Sequence, residues 1–171
     1  MARHAAYRNV KSKKTEIDGI KFASPGEAER YLELMIRIAK GENIEVFLQP
    51  SFELQPKFKK CCTLLYSPCF EHPELTTTFN QGICPLCGKK MKHEREIRYL
   101  ADFKIVHGDG TIEIEDVKGW GGYTTPEFKL KRKLFEFNYP ELSLSLLKRL
   151  GKPKRIAELL AEREALNAKS P

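Results

Sequence analysis

Apolar residues return at helical spacing in "ASPGEAERYLELMIRIAKGENI", where Ala28, Tyr31, Leu32, Met35, Ile36 and Ala39 form one stripe. Ser24 is placed to cap this helix, Pro25 suits its first turn, Glu27 stands at the acid position of a capping box, and Gly41 ends the run. Elsewhere the period shortens to two. "IDGIKF" predicts a short strand or hairpin turning at Asp18-Gly19, and "EVFLQPSFELQPKFKK" predicts one or two strands that Pro50 and Pro56 confine to edges or breaks. "REIRYLADFKIVHGDGTIEIEDVKGW" predicts a hairpin of two buried strands about Gly108, Asp109 and Gly110. Thr125 and Pro126 open a second helix that runs to the Tyr139-Pro140 break, "ELSLSLL" reads as a strand, and a charged terminal helix carries Ile156, Leu159, Leu160, Arg163 and Leu166 along one stripe. Helix, strands, helix, strand, helix is the order of an α/β domain with a mixed sheet flanked by helices.

The hairpin raises a chemical question, because buried strands ordinarily exclude unpaired carboxylates. If residues 108–110 form a three-residue loop, His107 pairs with Thr111, and Asp102 falls opposite Asp116. Lys118 then shares their face, two residues along. A two- or four-residue loop would bring Glu115 opposite Asp102 instead; the spacing to Lys118 favours Asp116. Two carboxylates facing each other call for a cation, and magnesium, or manganese in its place, takes hard oxygen ligands and supports phosphodiester hydrolysis. Lys118 would orient or deprotonate the attacking water. The plainer alternative pairs Asp102 and Asp116 with Lys104 and Lys118 near a sheet edge.

An acid on an early helix, Ala-Asp at a strand end and Asp-x-Lys on the next strand resemble the PD-(D/E)XK nuclease superfamily. "FASPGEAERYLEL", "RYLADF", "EIEDVKGW" and "FEFNYPELSLSLL" are similar to an uncharacterised phage family of that superfamily, and to the phage endonuclease I group of Holliday junction resolvases. The likeness covers most of residues 15–147 apart from a cysteine-bearing insert. It implies a restriction-endonuclease-like fold and Glu27, Asp102, Asp116 and Lys118 as catalytic residues, with Asp102 and Asp116 holding magnesium. The implied activity is metal-dependent cleavage of branched DNA by a phage protein in the bacterial cytoplasm. Ala101 replaces the family's usual proline, which bears no ligand atom. Glu29 is the alternative helix acid, and Glu27 as a pure capping residue would serve only the helix. Two further expectations stand beside a junction resolvase. One is a nicking or end-processing nuclease of phage replication or packaging; the other is an inactive zinc-ribbon module that only binds nucleic acid.

Five cysteines lie between positions 61 and 87. No signal-like apolar segment precedes them, so a reducing compartment and metal binding are expected rather than disulfides. Cys84-Pro-Leu-Cys87-Gly-Lys is half of a tetrahedral zinc site. Cys69 and Cys62 complete it, with Cys61 or His72 as substitutes for Cys62. A structural zinc would order a segment, "SPCFEHPELTTTFNQG", too polar to form a core. The expected organisation is a basic arm (1–14), a nuclease core (15–147) interrupted by a zinc-ribbon-like insert (59–94), and a terminal helix (148–171). That helix packs either on the body or on a second subunit, so a homodimer is among the expectations.

The chain has 171 residues and a formal charge of +7, which favours a polyanionic partner. Arg3, Arg8, Lys11, Lys13 and Lys14 concentrate in the arm without a single acid, while Lys129, Lys131, Arg132 and Lys133 lie on the second helix. These are the expected DNA contacts. Trp120 and Tyr123, in the Gly-rich link before that helix, are either core aromatics or platforms for an unpaired base. No run approaches the ~18 apolar residues of a membrane span.

Overall fold

The computed structural model describes residues 14–60, 90–119, 125–148 and 152–168. Asp18 and Gly19 take the positive φ values, 54° and 75°, that a two-residue hairpin turn requires, so β1 (Thr15–Ile17) folds back on β2 (Ile20–Phe22). Helix α1 (Pro25–Ala39) starts as its sequence dictates: the Ser24 hydroxyl accepts from the Glu27 N–H at 3.2 Å. Its buried surface is wider than the single stripe, since Leu34 is fully buried while Ala39 is exposed.

The strands are β3 (Ile44–Leu48), β4 (Ser51–Gln55), β5 (Phe58–Lys60), β6 (Lys92–Glu94), β7 (Ile97–Leu100), β8 (Phe103–His107), β9 (Ile112–Lys118) and β10 (Ser143–Lys148). Helices α2 (Pro126–Asn138) and α3 (Pro153–Asn167) complete the set. The segment expected to give one or two strands gives three. Gln49, at φ 49°, turns the chain between β3 and β4.

Contacts within the chain divide it into two compact units. The first (1–50, 101–125 and 141–171) holds a four-stranded mixed sheet in the order β10-β9-β8-β3. Strand β10 is parallel to β9, and the other pairs are antiparallel. One core joins Phe22, Ala28, Tyr31, Leu32, Ile36 and Ile44 to Phe103, Ile105, Val117 and Leu159. Leu159 belongs to α3, with Ile156, Leu160 and Leu166 packed beside it, so the stripe of the terminal helix lies on the body of its own unit. Arg163 of the same stripe forks onto Asp18 and holds its carboxyl below the ordinary range. Lys40 meets Glu162 at 2.8 Å.

The second unit (51–100 and 126–140) pairs β4 with β7 and packs α2 through aromatic rings. Phe135, fully buried, has Phe52 at 4.9 Å, Tyr99 at 5.5 Å and Tyr139 at 5.3 Å between ring centroids. Asn138 donates to the Leu54 carbonyl and the Tyr139 hydroxyl to the Glu53 carbonyl, fastening the end of α2 to β4. Strands β5 and β6 pair antiparallel, with Phe58 opposite Glu94. Among the described residues no helix is long and apolar enough to cross a membrane. A mixed α/β architecture with three helices among the described residues therefore holds.

Candidate functional site

The hairpin loop sets the site. His107 N–H donates to the Thr111 carbonyl at 2.9 Å, Gly110 takes φ 86°, and Asp109 Oδ1 accepts from the Thr111 N–H at 2.9 Å. These are the marks of a three-residue loop. A Cβ at Gly108 would stand 2.3 Å from the side-chain nitrogen of Asn43, so a larger residue there requires the Asn43 side chain to move. Ladder pairs Val106–Ile112, Ile105–Glu113, Lys104–Ile114 and Phe103–Glu115 follow. One step further, the same register puts Asp102 opposite Asp116.

The first predicted strand is not continuous. It breaks after Leu100: β7 pairs in the second unit and β8 enters the four-stranded sheet. Asp102 sits at the break, its N–H donating to the Glu115 carbonyl at 3.0 Å and its carbonyl accepting from Gln49 at 2.9 Å. Its carboxylate Oδ2 accepts from the Val117 N–H at 2.6 Å.

Asp116 is buried, and Lys118 Nζ reaches its Oδ1 at 2.5 Å. Burial pushes the Asp102 carboxyl up to about 7; the Val117 N–H pulls it down, the charges of Glu27 and Asp116 raise it, and Lys118 lowers it. Glu27, Asp102, Asp116 and Lys118 thus share one electrostatic environment. Glu27 is itself buried at the N-terminus of α1, its Oε1 accepting from the Ser24 hydroxyl at 2.7 Å and its Oε2 from the Ala23 N–H at 3.1 Å. It caps the helix, and its charge also raises the Asp102 carboxyl. Glu29 is likewise buried on α1.

Glu115 points to the opposite face of β9 and is committed elsewhere. Arg30 of α1 donates to it from Nε at 2.8 Å and from Nη2 at 2.6 Å, a bidentate pair with Glu115 only 1% exposed. Of the ion-pair alternative, the Asp116–Lys118 pair is present, on an inner strand of the sheet rather than at its edge. Lys104 instead lies over the Phe47 ring, 5.4 Å from its centroid.

Arg30 was not singled out by the sequence, and Glu115 only as the alternative partner of Asp102; the signal for the pair is a buried acid one residue from the expected ligand and an arginine three residues beyond Glu27. Lys148 was missed as well. It is exposed and stands in register beside Lys118 on the parallel strand β10, which puts both lysines on the face that carries Asp116. Only the parallel pairing of β10, invisible to local patterning, reveals it.

Among the described residues no three His, Cys, Asp or Glu side chains are gathered tightly enough to hold a metal. Asp102 leans on Val117, Asp116 on Lys118, and Glu27 on its own helix cap. The donors are nonetheless of the right kind for a hard divalent cation. They are carboxylate oxygens at the end of a ladder, one of them, Asp102, pushed toward neutrality by burial and then by the charges of Glu27 and Asp116.

The remaining expected residues separate by place. Lys129, Lys131, Arg132 and Lys133 lie on α2 in the second unit. Lys131 and Arg132 are taken by Glu127 and Glu136 of their own helix, at 2.9 and 2.7 Å. Lys14 is exposed at the first described position. Arg3, Arg8, Lys11, Lys13, Cys61, Cys62, Cys69, His72, Cys84, Cys87, Trp120 and Tyr123 lie outside the described residues.

One family model matches the chain over residues 7–154, that described as "Protein of unknown function (DUF1064)", and the chain belongs to that family. No curated protein and no solved structure matches it.

Proposed function

We propose that this member of the DUF1064 family is a metal-dependent DNA endonuclease of the PD-(D/E)XK type, acting on branched DNA. The supporting observation is the raised Asp102 carboxyl, opposite Asp116 by register and within the field of Glu27 and Lys118. The charges of Glu27 and Asp116 act on Asp102 and raise its carboxyl, a mutual repulsion that a bound cation would relieve. Asp102 and Asp116 would hold magnesium or manganese, with Glu27 completing the set through the lone pairs its capping bonds leave over. When bound, the ion supplies Lewis-acid stabilisation to a phosphodiester oxygen. Lys118, poised on Asp116, orients the attacking water and offsets the negative charge that develops on the phosphate. Lys148, beside Lys118, meets a neighbouring phosphate. The restriction-endonuclease-like reading of the sheet, the phage origin and the structural zinc held by the cysteines of the insert are part of the same proposal.

Incubating the full chain with supercoiled, linear, single-stranded and four-way-junction DNA, each with magnesium and with chelator, tests it. Cleavage confined to the magnesium arms, fastest on the junction, is expected. Cutting of the linear duplex ends alone would favour an end-processing nuclease. Binding without any cutting would leave only a nucleic-acid-binding module.

A further inference from the structure

Helix α2 sorts its side chains in a way that the two ends of its arc explain differently. At 3.6 residues per turn, Phe128 and Phe135 fall on one side, where Phe135 is fully buried and both rings meet Tyr99. On the other side Lys129, Lys133, Phe137 and Leu130 fall within about 100° of arc. Phe137 is 82% exposed and Leu130 58% exposed. Lys131 and Arg132, on the flanks, are neutralised by Glu127 and Glu136 of the same helix. Lys129 and Lys133 are exposed and make no ion pair among the described residues.

An aromatic ring left in water beside two unneutralised lysines is an unusual combination. Two apolar side chains cannot supply the ~800 Å² per partner that a stable protein interface buries, and interleaved lysines oppose a second copy with the same charge. The combination does suit a polyanion whose flat apolar groups are accessible: a phosphate backbone with unstacked bases. We infer that this face of α2 binds an unpaired stretch of nucleic acid, Phe137 stacking on a base while Lys129 and Lys133 contact the flanking phosphates. The inference rests on the nucleic-acid reading above and narrows its substrate to DNA that offers a single-stranded segment.

The test is anisotropy titration of the full chain, without magnesium, against a labelled 20-nucleotide single strand of dT and a duplex of equal length. Phe137→Ala should weaken single-strand binding about tenfold and leave duplex binding within twofold. Phe137→Tyr, which keeps a stacking ring, should restore it. The double variant Lys129→Ala with Lys133→Ala should weaken both and flatten the single-strand salt slope by about 1.4, at roughly 0.7 per phosphate contact. Unchanged single-strand affinity in Phe137→Ala would overturn the inference, and so would a dimer that dissociates on that substitution in sedimentation, because the face would then belong to a second copy. Failure of cleavage alone would count against the nuclease reading and not against this face, since no metal or catalysis enters the titration.

Discussion

At the residue scale, Asp102 carries the cost of the site. Its carboxyl titrates near 7 in the folded chain against 3.8 ordinarily. Below the ordinary value both states hold the proton and nothing is lost. As pH rises from there to about 7 the unfolded chain ionises first, the folded state binds more protons, and stability falls; above that range the penalty is complete. In chelator, Asp102→Asn should therefore be more stable than wild type at pH 8, on the order of 2 kcal/mol, with the gap closing by pH 4. Thermal melts at the two pH values check this, and magnesium should stabilise only the wild type. A gap that persists unchanged at pH 4 would mean that the carboxylate's ionisation is not what costs stability. Asp102, Asp116 and Lys118 were legible because strand periodicity and a glycine-flanked turn fix their shared face. Glu27 was legible through its capping spacing, although spacing alone could not tell a cap from a ligand.

At the scale of elements, α1 and β9 are held in place by Arg30 and Glu115, on the face of the sheet away from Asp116. Removing one partner strands a buried charge, so Glu115→Ala and Arg30→Ala should each cost about 3 kcal/mol, whereas the pair Arg30→Met with Glu115→Leu should recover most of it. Urea melts of the three variants check this; single costs below about 1 kcal/mol would show that the pair holds nothing. The register of β8 on β9 was readable only by taking the loop together with the spacing to Lys118, since loop length alone left Glu115 and Asp116 both open. The break at Asp102 was not, because "IRYLADFKIV" has no proline or glycine to announce it; the chain leaves one ladder for another, and local pattern does not record which partner a strand takes. The parallel pairing of β10, which brings Lys148 beside Lys118, was hidden for the same reason.

At the scale of the whole molecule, charge and cysteine spacing suggested a partner and a metal, yet neither records how many cores the chain builds. The two units arise because β4, β7 and α2 bury their aromatics among themselves, a long-range choice among apolar strands that look alike in sequence. In sequence, the cysteines lie between β5 and β6, which pair with each other. Elemental analysis of the purified chain should find about one zinc per molecule, and Cys84→Ser should lower the melting temperature sharply, since structural zinc binding is folding free energy; a metal-free chain of equal stability would remove the ribbon. The central claim is hydrolysis at the paired acids. Its most direct measurement is the rate of four-way-junction cleavage by wild type and Asp116→Asn, matched in folding and junction affinity, across a magnesium titration. A wild-type rate that rises with magnesium, and a variant that binds the junction as tightly but cuts it at least a thousandfold more slowly (~4 kcal/mol of barrier), is the predicted result; cutting by Asp116→Asn at the wild-type rate would contradict the account.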